Sequence, residues 1–297
     1  MVADWIYARS VLTRRLTWGR LKAEHHRIFR ATIIAGLVWL FVAIDIIPSV
    51  AANTQRFTNV VIVSIDALHP DALRQSPIKT LSKLMQIGSY TLDGHSTEPP
   101  KTLIAHTAMF TGLSPEENGK VDNHWALGDI TVDRATFFDR AKRHGFKTAF
   151  FYSKEKLGYL VSCSVDVHEW SRDNAVDLAE AFIKTLGRHF IFLHVSGLDE
   201  VGPQSGWLSA DYLEELSFID EYLSSLVKSV VKKQNYLLIV TSDHAGHGKI
   251  HGSDHPEDYR LPLIVCSDTV KVKRFQGISL SVTELKQLLE NLIEEAS

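Results

Sequence analysis

The sequence predicts an α/β fold, a doubly wound and mostly parallel sheet flanked by helices. Helical patterns alternate with five short runs that are almost continuously apolar and β-branched, as strands covered on both faces are. These runs lie at 59–65, 147–152, 190–195, 236–242 and 262–267. Because sheets of this kind place their active sites at the carboxyl ends of the strands, we expect functional side chains just after these runs.

Three helices are expected from the hydrophobic periodicity. In 209–232 apolar residues recur at steps of three and four. Pro70 and Asp71 are expected to open a second helix that runs to about Ile87, and residues 282–296 a third, amphipathic one. Strands and helices together indicate one sizeable α/β domain over residues 53–297.

Composition excludes several classes of protein. The 297 residues are 45% hydrophobic and 23% charged, which rules out a disordered tail, a collagen-like repeat and a Cys-rich scaffold. The net charge of -3 gives no reason to expect a nucleic-acid-binding surface. Cys163 and Cys266 form no metal-type cluster, so a disulfide in an oxidising compartment and two unpaired thiols both stay open.

Residues 1–52 have the features of an export segment. A basic stretch precedes an uncharged apolar run at 31–44. A small-residue end at Ala52 fits a cleaved signal peptide. An uncleaved anchor, in which residues 31–52 contact the membrane, would have to include Asp45 and Pro48. Either alternative carries the rest of the chain to a periplasmic or extracellular location.

Acidic side chains follow three of the predicted strands. They are Asp66, Asp199 and Asp243, and the last is followed at once by His244. A single Asp in such a place is usually a cap or turn residue. Three of them, one leading into a histidine-rich loop, indicate a metal site instead. Carboxylate oxygens with imidazole nitrogens suit zinc, and also manganese.

Thr102 follows a Pro-Pro turn and opens an apparent helix. A Thr in this position is ordinarily an N-cap. Since the chain also supplies metal ligands, a nucleophilic role is the better explanation. A hydroxyl held on a metal at a helix N-terminus has a lowered pKa and can attack a phosphorus centre.

The order of motifs resembles the alkaline phosphatase superfamily and, within it, the type I phosphodiesterase/nucleotide pyrophosphatase branch. The motifs are VSIDALHPDAL, PPKTLIAHTAMFTGLSPEENGKVDN, LDEVGPQSGW and TSDHAGHGKIHGSDHPEDYRLPLIV. Together they cover about residues 58–267.

The resemblance implies two divalent metal ions and a Thr nucleophile. One ion would be held by Asp66, Asp243, His244 and Thr102, and the other by Asp199 and His251. The reaction implied is in-line displacement at phosphorus through a phosphorylated Thr, which water then hydrolyses.

Two further residues are candidates for stabilising charge on the phosphoryl oxygens. Asn123 lies 21 residues after Thr102, where this branch places a hydrogen-bond donor to the substrate; a turn residue is the alternative. Lys101, beside the nucleophile, is either a second such group or a solvated surface lysine.

The chain departs from the family pattern at the second metal. Where the family has Asp-x-x-Gly-His, the sequence has Pro203 in place of the final His, so this site loses a nitrogen ligand. Three interpretations stay open. Water or Glu200 fills the position of a weaker site; His247 or His255 substitutes; or the second site is empty, leaving a single-metal enzyme or an inactive relative.

These observations favour an exported, metal-dependent phosphodiesterase or phosphatase that acts on phosphate esters through Thr102. Two alternatives remain. One is a membrane-anchored transferase that moves a phospho-substituent between lipid or glycan head groups through the same phosphothreonine. The other is a degenerate relative that binds phosphorylated ligands without turnover.

Overall fold

The computed structural model describes residues 56–296, so the expected export segment at 1–52 lies outside the described residues. None of the helices between residues 56 and 296 combines the length and the hydropathy needed to cross a bilayer.

The centre of the fold is an eight-stranded sheet. Its strands are β1 (Asn59–Ile65), β2 (Ser89–His95), β3 (Lys147–Tyr152), β4 (Val167–Trp170), β5 (His189–Val195), β6 (Tyr236–Thr241), β7 (Arg260–Ser267) and β8 (Leu280–Ser281). The spatial order is β4-β3-β5-β1-β6-β7-β2-β8. Neighbouring strands are parallel, except that β7 runs antiparallel to both β6 and β2. The predicted α/β sheet flanked by helices is therefore confirmed.

Nine α-helices are present in the described part of the chain. They are α1 (Ala72–Gln75), α2 (Thr80–Ile87), α3 (Thr102–Thr111), α4 (Pro115–Asn118), α5 (Phe137–Arg143), α6 (Ala175–Ile183), α7 (Gly197–Ser205), α8 (Ala210–Lys232) and α9 (Leu285–Glu295). Short 3-10 helices lie at Glu155–Leu160, Pro256–Tyr259, Lys273–Phe275 and Val282–Glu284. The expected helices at 209–232 and at the C-terminus are both found.

The single helix expected from Pro70 to about Ile87 is wrong, because the chain breaks between α1 and α2. Ser76 is extended, with ψ of 146°, as the residue before a proline prefers to be. The N-terminus of α2 is then capped by a carboxylate from α8. Asp220 accepts backbone hydrogen bonds from three consecutive N–H groups, those of residues 79–81, at 2.7–2.9 Å.

Both faces of the sheet are covered by apolar side chains. In β1, Val60 and Ile62 pack into one hydrophobic cluster, whereas Val61 and Val63 pack into the other. This explains why the strand sequence is continuously apolar instead of alternating. Each cluster packs against helices on its own side, and together they fix the strand ends that carry the polar residues.

An aromatic cluster lies under α3. The ring of Phe110 is 4.4 Å from that of Phe137 and 4.6 Å from that of Phe192, measured between centroids. Every residue of α3 is buried. Tilted and edge-on aromatic packing of this kind fixes the helix on the sheet, and with it the position of Thr102.

The two cysteines are unpaired thiols. Cys163 is exposed, whereas Cys266 is buried in β7 and its Sγ donates to the Leu84 carbonyl at 3.1 Å. The sequence left a disulfide and two unpaired thiols open, and the structure has two unpaired thiols.

Candidate metal centre and nucleophile

The three acids predicted at strand ends meet at one edge of the sheet. They follow β1, β5 and β6, which are neighbours, so their carboxylates converge. The Nε2 atom of His244 lies 3.2 Å from an oxygen of Asp66, 3.6 Å from one of Asp243 and 3.7 Å from one of Asp199. A single imidazole nitrogen is thus within reach of all three acids.

His251 joins this cluster from the loop after β6. Its Nε2 is 3.4 Å from Asp199 Oδ1, and its ring stacks on that of His244 at 4.5 Å between centroids. Within this cluster, two groups of three side chains place ligand atoms close enough for one ion. The first is Asp66, Asp243 and His244; the second is Asp199, His244 and His251.

The donor atoms themselves fit a divalent metal. Five buried atoms of the cluster have no hydrogen-bond partner: Asp66 Oδ1, Asp199 Oδ1, Asp243 Oδ2, His244 Nε2 and His251 Nδ1. Leaving buried polar atoms unpaired is costly. A dication bound among the carboxylates would satisfy the three carboxylate oxygens and His244 Nε2, and oxygen with nitrogen donors suits zinc or manganese.

Electrostatics in the cluster follow from burial and proximity. The pKa of Asp66 lies well below its usual range, because Lys154, His194 and His244 more than reverse the raising effect of burial. The pKa of His244 rises to about 9, since the surrounding carboxylates outweigh the lowering effect of burial. The site therefore holds concentrated negative charge that attracts cations.

Thr102 is the first residue of α3 and not its N-cap. The N-cap is Lys101, whose backbone is extended and whose side chain makes no capping hydrogen bond. The Thr102 hydroxyl is therefore free for another use, although its residue is buried. Its Oγ1 accepts a hydrogen bond from Lys154 Nζ at 3.2 Å.

Two buried histidines contact residues of the candidate site without belonging to the proposed ligand set. His106 contacts the Thr102 carbonyl through Nδ1 at 2.7 Å and Ser64 Oγ through Nε2 at 2.9 Å. Burial lowers the pKa of His106 to about 4, so it is neutral at physiological pH. His194 lies 3.0 Å from Asp66 Oδ2 through its Nε2. Groups of this kind fix the orientation of metal ligands.

A strained turn after β1 aims Asp66 into the site. Ala67 has φ of +62°, a left-handed conformation that is unusual for a residue with a side chain. Its N–H donates to Asp243 Oδ1 at 3.2 Å, and its carbonyl accepts from the Tyr212 hydroxyl at 2.6 Å. Tyr212 also accepts from the His69 N–H at 2.9 Å. These bonds hold the turn in place.

The two predicted phosphoryl-binding residues flank the start of α3. Asn123 Oδ1 accepts from the Leu103 N–H at 2.8 Å, which leaves its Nδ2 group available as a donor. Lys101 packs its methylene chain against Gly252, where a Cβ would come within 3.1 Å of Lys101 Cε. Both residues lie beside Thr102, but their roles toward a substrate stay predictions.

Lys154 was not expected from the sequence. It follows β3, the strand next to β5, and so reaches the same edge of the sheet. Its Nζ lies 2.6 Å from Asp66 Oδ2 and also contacts Asp199 Oδ2. Burial acts against the charged form, but these carboxylates raise the pKa of Lys154 above its usual value. Its position after a strand was the one available signal.

The residues considered as substitutes for the missing ligand lie elsewhere. His247 and His255 stack on each other at 3.7 Å between centroids, and His247 Nδ1 is 2.7 Å from Asp258. Together with Asp258 they form a separate group. Glu200 pairs with Arg172 at 2.5 Å.

A mixed α/β sheet whose strand ends carry this cluster is the architecture of the alkaline phosphatase superfamily. Within it, the chain belongs to the type I phosphodiesterase/nucleotide pyrophosphatase family, whose model matches residues 60–262.

Curated relatives of the chain include transferases. It is 26% identical over 212 residues to GPI ethanolamine phosphate transferase 1 of Neurospora crassa, covering 62% of this chain and 21% of that protein. It is also 26% identical over 240 residues to the catalytic subunit of human GPI ethanolamine phosphate transferase 2, covering 73% and 24%. The chain thus spans about a fifth to a quarter of the length of these relatives.

Solved structures confirm the fold. Murine ectonucleotide pyrophosphatase/phosphodiesterase 5 superposes with a TM-score of 0.67 at 15% identity, over 79% of this chain and 95% of that one. The C-terminal periplasmic domain of EcEptC from Escherichia coli, solved in complex with Zn, gives 0.61 at 13% identity, over 80% and 82%.

Proposed function

We propose that this domain transfers a phosphoethanolamine-type group from a phosphodiester donor to an alcohol acceptor through Thr102. The observation that carries the proposal is that one ammonium group, Lys154 Nζ, contacts the Thr102 hydroxyl and two acids of the metal cluster together. The nucleophile and the cation site are therefore adjacent.

The transferase alternative is preferred to the hydrolase interpretation because of the relatives. Several curated relatives are named as GPI ethanolamine phosphate transferases. Transfer and hydrolysis share their first half: a phosphothreonine forms in both. They differ in whether an alcohol or water takes the group away, so the proposal concerns the second half-reaction.

The metal ligands proposed for the reaction are Asp66, Asp243 and His244, with Thr102 completing the set. A dication bound there would lower the pKa of the Thr102 hydroxyl and neutralise charge on the phosphoryl oxygens. The ligand atoms of the three side chains already lie within reach of one ion. Zinc is the proposed metal and manganese the second choice, since both accept this donor set.

Neighbouring groups fix the position of the Thr102 nucleophile. Its backbone is fixed by the buried helix α3, and Lys154 Nζ holds its Oγ1. Attack forms a bond between Oγ1 and phosphorus, and the bond from phosphorus to the donor's alcohol breaks. The hydroxyl proton ends on the departing alcohol. The acceptor alcohol then repeats the displacement and returns the hydrogen to Thr102.

Charge that develops on the phosphoryl oxygens has donors nearby. The Leu103 N–H is occupied by Asn123 Oδ1, which turns the side chain so that its Nδ2 is left to donate. We propose Asn123 as the hydrogen-bond donor to a non-bridging oxygen and Lys101 as a nearby positive charge. Both lie beside Thr102 at the positive end of α3.

We propose that residues 1–52 export the domain and, if uncleaved, hold it on a membrane. An anchored domain would meet lipid donors at the bilayer surface.

The test separates transfer from hydrolysis with the full chain and vesicles that contain phosphatidylethanolamine, followed by diacylglycerol release. Without an acceptor, a transferase gives a burst of about one diacylglycerol per chain and then stalls. Addition of a soluble alcohol restores turnover and yields its phosphoethanolamine ester. Thr102→Ala abolishes the burst. Continuous release into water, independent of added alcohol, would establish the hydrolase instead.

A further inference from the structure

We infer that the Lys154 ammonium takes the place of a second metal ion, so that the domain works with one divalent cation. The inference deepens the proposed function, on which its catalytic meaning rests. It starts from the neighbourhood of Asp199, where the family pattern would put the second ion and where this chain has Pro203 instead of a ligand.

The second group of ligands does not fit a metal ion of its own. It consists of Asp199, His251 and His244. The Nε2 of His244 is also the nitrogen that the first group needs, at 3.2 Å from Asp66. One imidazole nitrogen binds one metal, so two side chains remain for the second ion. A zinc site is built from three or four protein ligands.

None of the alternative ligands is placed to complete this group. Pro203 lies in α7, is exposed and has no ligand atom in its side chain. Glu200 is paired with Arg172. His247 is bonded to Asp258, in the separate group that also contains His255.

Lys154 already contacts the carboxylate on which a second cation would depend, that of Asp199, and also two groups assigned to the first ion. Its Nζ reaches Asp66 Oδ2 at 2.6 Å, Asp199 Oδ2, and Thr102 Oγ1 at 3.2 Å. The Asp199 carboxylate is thus neutralised by the Lys154 ammonium, a charge that the protein itself supplies. The same ammonium bridges Asp199 to the nucleophile, since its Nζ also contacts Thr102 Oγ1.

The charge balance agrees with one metal ion. Three carboxylates, those of Asp66, Asp199 and Asp243, face one another in a largely buried space. One dication and the Lys154 ammonium neutralise them completely. A second dication would leave two uncompensated positive charges in a region of low dielectric, which is strongly unfavourable.

Metal stoichiometry tests the inference without any assay of activity. The purified full chain is saturated with zinc, freed of loosely bound ions and analysed for zinc per chain. We expect one zinc in the wild type. We also expect one in Pro203→His, because the ammonium is still present, and two in the double variant Lys154→Met with Pro203→His, which regains a ligand and loses the competing charge.

Two zinc ions in the wild type, or in Pro203→His alone, would overturn the inference. So would a well-folded double variant that binds only one. Lys156→Met with Pro203→His is the matched control: Lys156 lies on the 3-10 helix whose N-cap is Lys154, and within residues 56–296 its ammonium has no ion-pair partner, so one zinc is expected. Circular dichroism and thermal melting report folding. The wild-type stoichiometry is informative whether or not the domain proves to be a transferase.

Discussion

The Tyr212 hydroxyl donates to the Ala67 carbonyl at 2.6 Å and so connects helix α8 to the turn that aims Asp66 into the metal cluster. The contact spans 145 positions of sequence. It shows that the geometry of the site depends on a helix that contributes no ligand. Removing it should therefore loosen the site from a distance.

We expect Tyr212→Phe to weaken zinc binding by about tenfold, as changes in groups that orient metal ligands do. The free energy of unfolding should also fall by about 1–2 kcal/mol, because the buried His69 N–H loses its acceptor. Competition with a fluorescent zinc chelator and urea titration measure the two effects. Tyr222→Phe is the control, since Tyr222 lies on the same helix but bonds to Asp177 at the surface. Equal zinc affinity in both variants would contradict the assignment.

Asn123 offers a test in which the structural and chemical roles separate. Asn123→Asp keeps an acceptor oxygen for the Leu103 N–H but removes the amide donor and adds a negative charge. We expect the rate of the first half-reaction to fall by about 10² or more, with little change in melting temperature. Asn291→Asp on the exposed face of α9 is the charge-matched control. If Asn123→Asp is fully active and Asn123→Ala is not, the residue only holds the helix.

His189 makes the stability of the fold depend on pH at the end of the sheet opposite the site. Burial lowers its pKa to about 4, and its ring contacts Asn59 and Thr185. In the unfolded chain His189 therefore takes up a proton near pH 6.5, whereas in the folded chain it stays neutral until the pH approaches 4. Its contribution to stability is full above pH 6.5 and is lost as the pH falls towards about 4.

Urea titrations at pH 7.5 and pH 5 should show this loss in the wild type. The loss should be smaller in His189→Gln, which cannot take up a proton. His168→Gln, at an exposed position of β4, should behave like the wild type. An unchanged pH dependence in His189→Gln would show that other groups control acid stability.

Metal removal should destabilise the domain as well as inactivate it. Chelation leaves the carboxylates of Asp66 and Asp243 facing each other, whereas zinc bound to the folded state adds to its stability by mass action. We expect saturating zinc to raise the melting temperature by roughly 10 °C over the chelated protein. Asp243→Asn should lose most of this shift. Identical melting curves with and without zinc in the wild type would argue against a metal site.

Much of the site was predictable because each ligand follows a strand in the sequence. Asp66 and Asp243 stand directly after apolar runs, and adjacent parallel strands bring such residues together. His251 needed the resemblance to the family, since its loop carries other histidines. Lys154 was missed for the opposite reason: a lone lysine after a strand is normally solvated, and nothing local shows that two carboxylates meet there.

The elements of the fold that the sequence did not predict have similar explanations. Strand β4 is exposed along its whole length, and β8 has only two residues, so neither leaves a hydrophobic pattern. The break between α1 and α2 depends on Asp220, which reaches the start of α2 from 139 to 141 positions away. Long-range contacts of this kind are absent from local periodicity.

The central claim, that Thr102 carries the transferred group, is tested most directly by mass spectrometry of the stopped reaction. The full chain is mixed with phosphatidylethanolamine vesicles in the absence of an acceptor, quenched in acid and digested. Thr102→Ser should still be modified at position 102, and Thr102→Ala should not be modified. The wild type should carry phosphoethanolamine on the peptide that contains Thr102, and the group should disappear when an alcohol acceptor is added before quenching. Turnover with an unmodified Thr102, or with the group on another residue, would contradict the claim.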